Sequence, residues 1–283
     1  GAAIEAAARR EGAGRRRVGG FGRLDRDHPR DALRQPPRDA QLRLADEGLL
    51  IPHWPEDIGG AGLDPWHQTI LAEEMWIAGE PRGGQYMNVN WVGPTLMKYG
   101  TKAQQDQYLL PITSGKALWC QGFSEPGSCS DLASLRTRAV LESGPDGDHY
   151  RVTGQKIWTS YAGLADTCFL LVRTSDDRKR GISILLVPMD TPGIVVRQIP
   201  SLIGEGDIRE VFFDDMLVPA DALFGAEGQA WEIIGYSLAN ERLGIPRYAL
   251  ARSALDRAVS VLKEQGEWQN EAVKIEAAQC AAL

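Results

Sequence analysis

The sequence predicts an α+β multidomain fold: an N-terminal helical domain, a central β-barrel or sandwich domain, and the start of a C-terminal helical bundle that is truncated. Three observations predict it. Apolar residues recur at helical spacing through 41–116. Short runs rich in Val, Ile, Leu, Phe and Thr, bounded by Gly, Pro, Asp and Ser, follow at regular spacing through 117–226. Helical spacing then returns over 227–283 and stops at Leu283, where a helical domain has only begun.

Each element has its own signal. Residues 1–40 form an irregular Arg-rich segment, with ten Arg, six acids and too few large apolar residues to offset ordering entropy. A short amphipathic helix runs over 42–50, and Pro52-His-Trp-Pro55 with Gly59-Gly60-Ala-Gly62 marks a loop after it. Ile70, Leu71, Met75, Trp76 and Ile77 predict a helix over 65–78. Further helices cover 87–98 and 102–109, each closed by Gly or Pro. Strands are expected over 117–124, 136–142, 149–158, 167–174, 181–188, 194–199 and 210–218. One helix over 229–263 and a last one from Asn270 complete the chain.

Composition removes several function classes. Hydrophobic residues at 43% and charged residues at 24% fit a globular chain, not a collagenous or disordered one. The net charge of −7 hides an asymmetry: residues 1–40 carry +4 and the remainder −11. An acidic body gives no electrostatic case for nucleic acid. Cys120, Cys129, Cys168 and Cys280 lack CxxC or zinc-type spacing, and no His pair suggests a metal. Free thiols, no span-length apolar run and no signal-peptide pattern lead to the expectation of a cytoplasmic protein.

Standard catalytic motifs fail on their details. Gly122-Phe-Ser124-Glu-Pro126 lacks the second glycine and the strand–turn–helix setting of a nucleophile elbow. Gly204-Glu-Gly206-Asp-Ile-Arg209 misses the last glycine of a dinucleotide fingerprint, and there is no Walker motif. Two segments remain. Residues 119–131, Trp-Cys-Gln-Gly-Phe-Ser-Glu-Pro-Gly-Ser-Cys-Ser-Asp, end a strand in a turn rich in hydroxyls and backbone N–H groups, suited to an anionic or acceptor-rich ring edge. Residues 155–160, Gln-Lys-Ile-Trp-Thr-Ser, place an aromatic beside small donors. On residues alone, a hairpin turn with a core Trp explains the same pattern.

The blocks together resemble the acyl-CoA dehydrogenase family. They are Tyr99-Gly100-Thr101, Tyr108-Leu-Leu-Pro111 with Ser114-Gly115, Ser124–Asp131, Gly154–Ser160, and Glu210–Pro219 with the helix that follows. The resemblance covers roughly residues 41–265. It implies FAD as cofactor, an acyl-CoA substrate, electron-transfer flavoprotein as electron acceptor, and a homo- or hetero-oligomer. Phe123 and Ser124 match the strand against the flavin pyrimidine edge, Trp158 the aromatic beside the isoalloxazine, and Ser160 the hydroxyl near N5. Ser130 matches a serine that contacts either FAD phosphate or the substrate channel on the CoA side. The chain departs from the usual EPGAGSD in having Ser128 and Cys129 for Ala and Gly. If that Gly served a positive φ or a close approach, Cys129 would strain the turn.

Oxidation across Cα–Cβ requires a shielded carboxylate base. Trp231, Ile234, Leu238, Glu241, Ile245 and Tyr248 follow 3,4 spacing, which sets Glu241 on an apolar stripe. A Glu at the stripe's edge, reaching solvent or an Arg, would share that spacing. Leu238-Ala-Asn-Glu241-Arg242 resembles the base context of the isovaleryl and long-chain members, which implies Glu241 as base and Arg242 near the acyl site. Two rivals stand beside dehydrogenation: a flavin monooxygenase or nitroalkane-oxidase-like enzyme on the same fold, and a non-catalytic or truncated partner subunit.

Overall fold

The structure is a computed structural model that describes residues 36–78, 84–200, 208–241 and 247–282. Four helical segments lead. They are α1 (Pro36–Asp46), α2 (Pro65–Ala78), α3 and α4 (Lys102–Thr113). Helix α3 consists of Gln85–Met87, a π-helical stretch Asn88–Val92 and Gly93–Tyr99. The α4 start is a capping box: Gln104 N donates to Thr101 Oγ1 at 3.2 Å, and Thr101 N donates to Gln104 Oε1 at 3.1 Å. This helix was expected to end before Pro111, but it runs through it to Thr113. The proline sits in the last turn, and its carbonyl takes the N–H groups of Lys116 and Ala117, each at 2.9 Å.

The strands are β1 (Trp119–Gly122), β2 (Arg138–Gly144), β3 (Gly147–Ser160), β4 (Thr167–Arg173), β5 (Ile182–Pro188), β6 (Ile194–Gln198), β7 (Ile208–Pro219) and β8 (Leu223–Phe224). They form one sheet in the order β6-β7-β3-β2-β4-β5-β8, with β1 parallel to β4 off this path. Strand β2 meets β4 only at Arg138 and Arg173, so the sheet turns there.

Two cores follow from that turn. The first joins the helical layer to one face of β4 and β5: Trp54, Trp91, Leu96 and Ile233 pack with Phe169, Leu171, Ile182 and Ile184. The second lies between the two halves of the sheet, where Tyr150, Val152, Phe213 and Met216 meet Cys168, Leu170, Leu185 and Val187. This is the barrel or sandwich interior that the strand pattern predicted. Strand β4 separates the two cores, which is why its sequence is a continuous apolar run rather than an alternation. On β1 and β4, Cys120 and Cys168 are register partners, both buried and both free thiols. The hydrogen bond to Cys168 and burial push the Cys120 thiol up, so it stays protonated and inert.

Three helices close the chain: α5 (Ala230–Glu241), α6 (Arg247–Glu264) and α7 (Glu271–Ala282). The single helix expected over 229–263 is thus described as two, with 242–246 outside the described residues. The apolar stripe also sits one residue away from its expected line. Ala230, Ile233, Ile234 and Ser237 are buried, whereas Trp231 is 41% and Tyr248 58% exposed. Small residues at 230 and 237 let α5 approach the core closely, and Trp231 is left at the edge with Lys179 Nζ 5.2 Å from its ring centroid. Among the described residues no helix is long and apolar enough to cross a membrane.

Candidate active site

The turn after β1 is built on a buried ion pair. Lys156 Nζ donates to Glu125 Oε1 at 2.8 Å and to the Phe123 carbonyl at 3.1 Å, and its side chain is fully buried. The Glu125 carboxylate also accepts the backbone N–H of Arg136 at 2.6 Å and of Thr137 at 2.9 Å. Burial alone would push the Glu125 carboxyl up, but the Lys156 charge and these donors together hold it below its ordinary value. Sequence reasoning missed this pair. Its signal was parity: Lys156 shares the inward register of Tyr150 and Val152 on β3, where a lysine demands a partner.

The same contacts fix the turn itself. Glu125 N donates to Ser128 O at 2.8 Å and Ser128 N to Glu125 O at 3.0 Å, closing a tight loop. Ser128 Oγ donates to Asp131 O at 2.8 Å. Cys129 does not take positive φ, so the strain of a left-handed backbone is absent there. Its Sγ lies 3.8 Å from Ser124 Oγ and is exposed.

Ser124 and Trp158 are brought together by one backbone contact, the Ile157 N–H donating to the Ser124 carbonyl at 2.9 Å. Strand β3 loses register with β7 between Lys156 and Thr159, and Trp158 occupies that bulge with φ of 60°. A bulge re-aims a side chain. Here the indole is 53% exposed while Lys156 and Thr159 beside it are fully buried. A large aromatic held half-exposed in a left-handed conformation fits a planar ring laid against the sheet. Ser160 ends β3, half-buried and opposite Ile208. Phe123 differs from the others: its ring is buried, edge-on to Trp91 at 6.3 Å, and its carbonyl accepts from buried Lys156. Gly122 before it is required by contact, since a Cβ there would lie 2.9 Å from Cys168 Sγ and from Leu170 Cδ1.

The remaining candidates are less gathered. Ser130 is exposed on the turn, next to Asp131, whose carboxylate oxygens both accept from Arg178 Nη2 at 2.8 Å. Glu241 is the last residue of α5, and helical spacing puts position 241 one turn beyond buried Ser237. Its side chain, and Arg242 altogether, lie outside the described residues. Among the described residues no group of three or more His, Cys, Asp and Glu could hold a metal ion.

Comparisons with known proteins give the same frame. Residues 25–116 match the family model described as acyl-CoA dehydrogenase, N-terminal domain, and 120–216 match acyl-CoA dehydrogenase, middle domain. "Acyl-CoA dehydrogenase IpdE1" of Mycobacterium tuberculosis is 42% identical over 225 residues, covering 79% of this chain and 54% of that protein. A solved structure named "Tcur3481-Tcur3483 steroid ACAD G363A variant" superposes with a TM-score of 0.82 at 30% identity, covering 99% of this chain and 71% of its own. The ChsE4-ChsE5 complex from Mycobacterium tuberculosis gives 0.74 at 33% identity, covering 87% and 64%. The chain spans about half the length of the curated relatives it matches. The two family models together cover more than half of the chain, and the helical layer and turned sheet superpose on solved members, so this chain belongs to the acyl-CoA dehydrogenase family.

Proposed function

We propose that this chain carries out the α,β-dehydrogenation of an acyl-CoA thioester, with electrons passed to an electron-transfer flavoprotein. Members of the family are FAD-dependent flavoproteins. FAD, when bound, supplies the two-electron acceptor for the β-hydride. One observation carries the reading: the Trp158 indole is held outward at a strand bulge, next to Ile157, whose N–H donates to the Ser124 carbonyl. In this reading Trp158 sets the plane of the flavin ring, and Ser124 with Ser160 orients its edge. The Phe123 backbone completes that wall. Glu241 removes the α-proton, Arg242 holds the acyl end of the substrate, and Ser130 contacts either the CoA side of the substrate channel or FAD phosphate. The base works best when it is shielded from water, which raises its affinity for the proton it takes.

The named neighbours favour an assembly of subunits, since two of them are described as pairs of different chains. We place the protein in the cytoplasm, because four free cysteines suit a reducing compartment. Two neighbours are called steroid ACAD, so the substrate panel includes a CoA thioester of a steroid-derived acid beside straight and branched chains.

The test is anaerobic bleaching of the bound flavin by that panel. Glu241→Gln is expected to keep its flavin and slow bleaching by about 10² or more. A Glu241→Gln protein that bleaches at the unmodified rate removes the base assignment. Rapid oxidation by oxygen with no acyl-CoA bleaching favours the monooxygenase class, and a protein that stays colourless with added FAD ends the enzyme reading.

A further inference from the structure

Between β4 and β5 the chain makes a short loop, residues 174–181, that touches both walls of the proposed site. The loop is well braced. Asp177 Oδ1 accepts the N–H groups of Lys179 at 3.0 Å and Arg180 at 2.6 Å, and Gly181 N donates to Asp177 O at 3.0 Å. Arg173, at its base, donates through Nη1 to Asp177 O at 2.8 Å.

On one side the loop holds the turn that follows Ser124. Arg178 Nη2 reaches both oxygens of Asp131 at 2.8 Å, directly beside Ser130. Arg173 Nη2 and Nε add bonds to Ala133 O at 2.7 Å and Leu135 O at 2.8 Å. On the other side it holds the start of α5. Lys179 Nζ sits 5.2 Å from the Trp231 ring centroid. Gly228 packs against the Arg180 carbonyl so closely that a Cβ would overlap it. The Gly228 N–H donates to Ser183 Oγ at 2.9 Å, on the strand the loop leads into.

We propose that this loop is a positioning strap that fixes the Ser130 turn and helix α5 relative to each other. Arg178 and Lys179 are then positioning residues for acyl-CoA oxidation, acting through Asp131 and Trp231. The inference rests on the function proposed above. Trp231 and Glu241 lie ten residues apart on one helix, about 15 Å along its axis. A tilt at one end therefore displaces the other, and misplacement of about 1 Å at a reacting atom costs up to 10²-fold.

Stability does not explain the Arg178–Asp131 contact. Arg178 and Asp131 are 69% and 55% exposed, and exposed pairs of this kind contribute little to folding. That difference makes the strap testable in the full-length holoprotein. Arg178→Ala is expected to raise KM for acyl-CoA roughly tenfold, and Lys179→Ala to lower kcat by a similar factor, with Tm and flavin content unmoved. Exchanging the charges with Asp131→Arg and Arg178→Asp should recover most of KM. Hydrogen exchange on Arg178→Ala should rise both in 128–135 and in 228–236. The strap is overturned if KM and kcat stay within twofold, if their changes only track lost flavin, or if exchange rises on one side alone. A wild-type protein that binds flavin but never bleaches sinks the function proposed above, and the exchange arm still decides the strap.

Discussion

At Glu125 a single carboxylate gathers a buried ammonium and two backbone N–H groups. Removing its charge leaves Lys156 buried without a counter-ion, a loss of about 3 kcal/mol by comparison with other broken buried pairs. The sign of the pH effect follows from the lowered carboxyl. Its stabilisation is fully present above the ordinary glutamate pKa and is lost as pH falls through the lower folded-state value. Urea unfolding from neutral pH into the acid range should therefore show a steep acid loss in the native protein. The loss should be shallower in Glu125→Gln, which starts from a lower stability at neutral pH. Parallel acid limbs for the two proteins would remove Glu125 as their origin. At this scale the sequence exposed some residues and hid others. Trp158 was visible because an aromatic beside two hydroxyl residues stands out locally. The Glu125–Lys156 pair spans 31 residues and leaves no local spacing to read.

Helix α3 shows what an element adds to its residues. Its π-helical stretch brings Gly93 against the Trp54 ring, where a Cβ would overlap the indole. The same indole donates through Nε1 to the Val89 carbonyl at 3.2 Å. Alanine at 93 gains up to about 1 kcal/mol in helix propensity, and overpacking costs about 1–3 kcal/mol. The second effect wins if the indole cannot move. Gly93→Ala should thus lower the urea midpoint; a raised midpoint would show that Trp54 yields. Most elements were legible because their periods are strong: the seven expected strands all appear, within three residues at each end. Strand β8 was missed because two residues carry no period. The end of α4 was misplaced because a proline in a last turn disrupts little, and the α5 stripe because small residues, not Trp231, mark the close approach.

For the whole molecule, the order of helical, β and helical segments was readable from the switch in period, and the residues that the family models match, 25–116 and 120–216, lie mostly in the acidic remainder. What the period could not supply was the turn of the sheet at Arg138 and Arg173, since a fold-back between strands is a property of pairing and not of any one strand. That turn is what encloses Cys120 and Cys168 between the two halves of the sheet, while Cys129 and Cys280 stay outside. The four sulfurs consequently keep a tally of the molecule's condition. A maleimide counted by mass should label two of them quickly in the native protein and all four once the sheet opens. Cys129, beside Ser124, should drop out of the fast class when FAD is added, turning one label into an occupancy gauge for the flavin. Four fast labels in the native protein would mean that the sheet interior is not sealed.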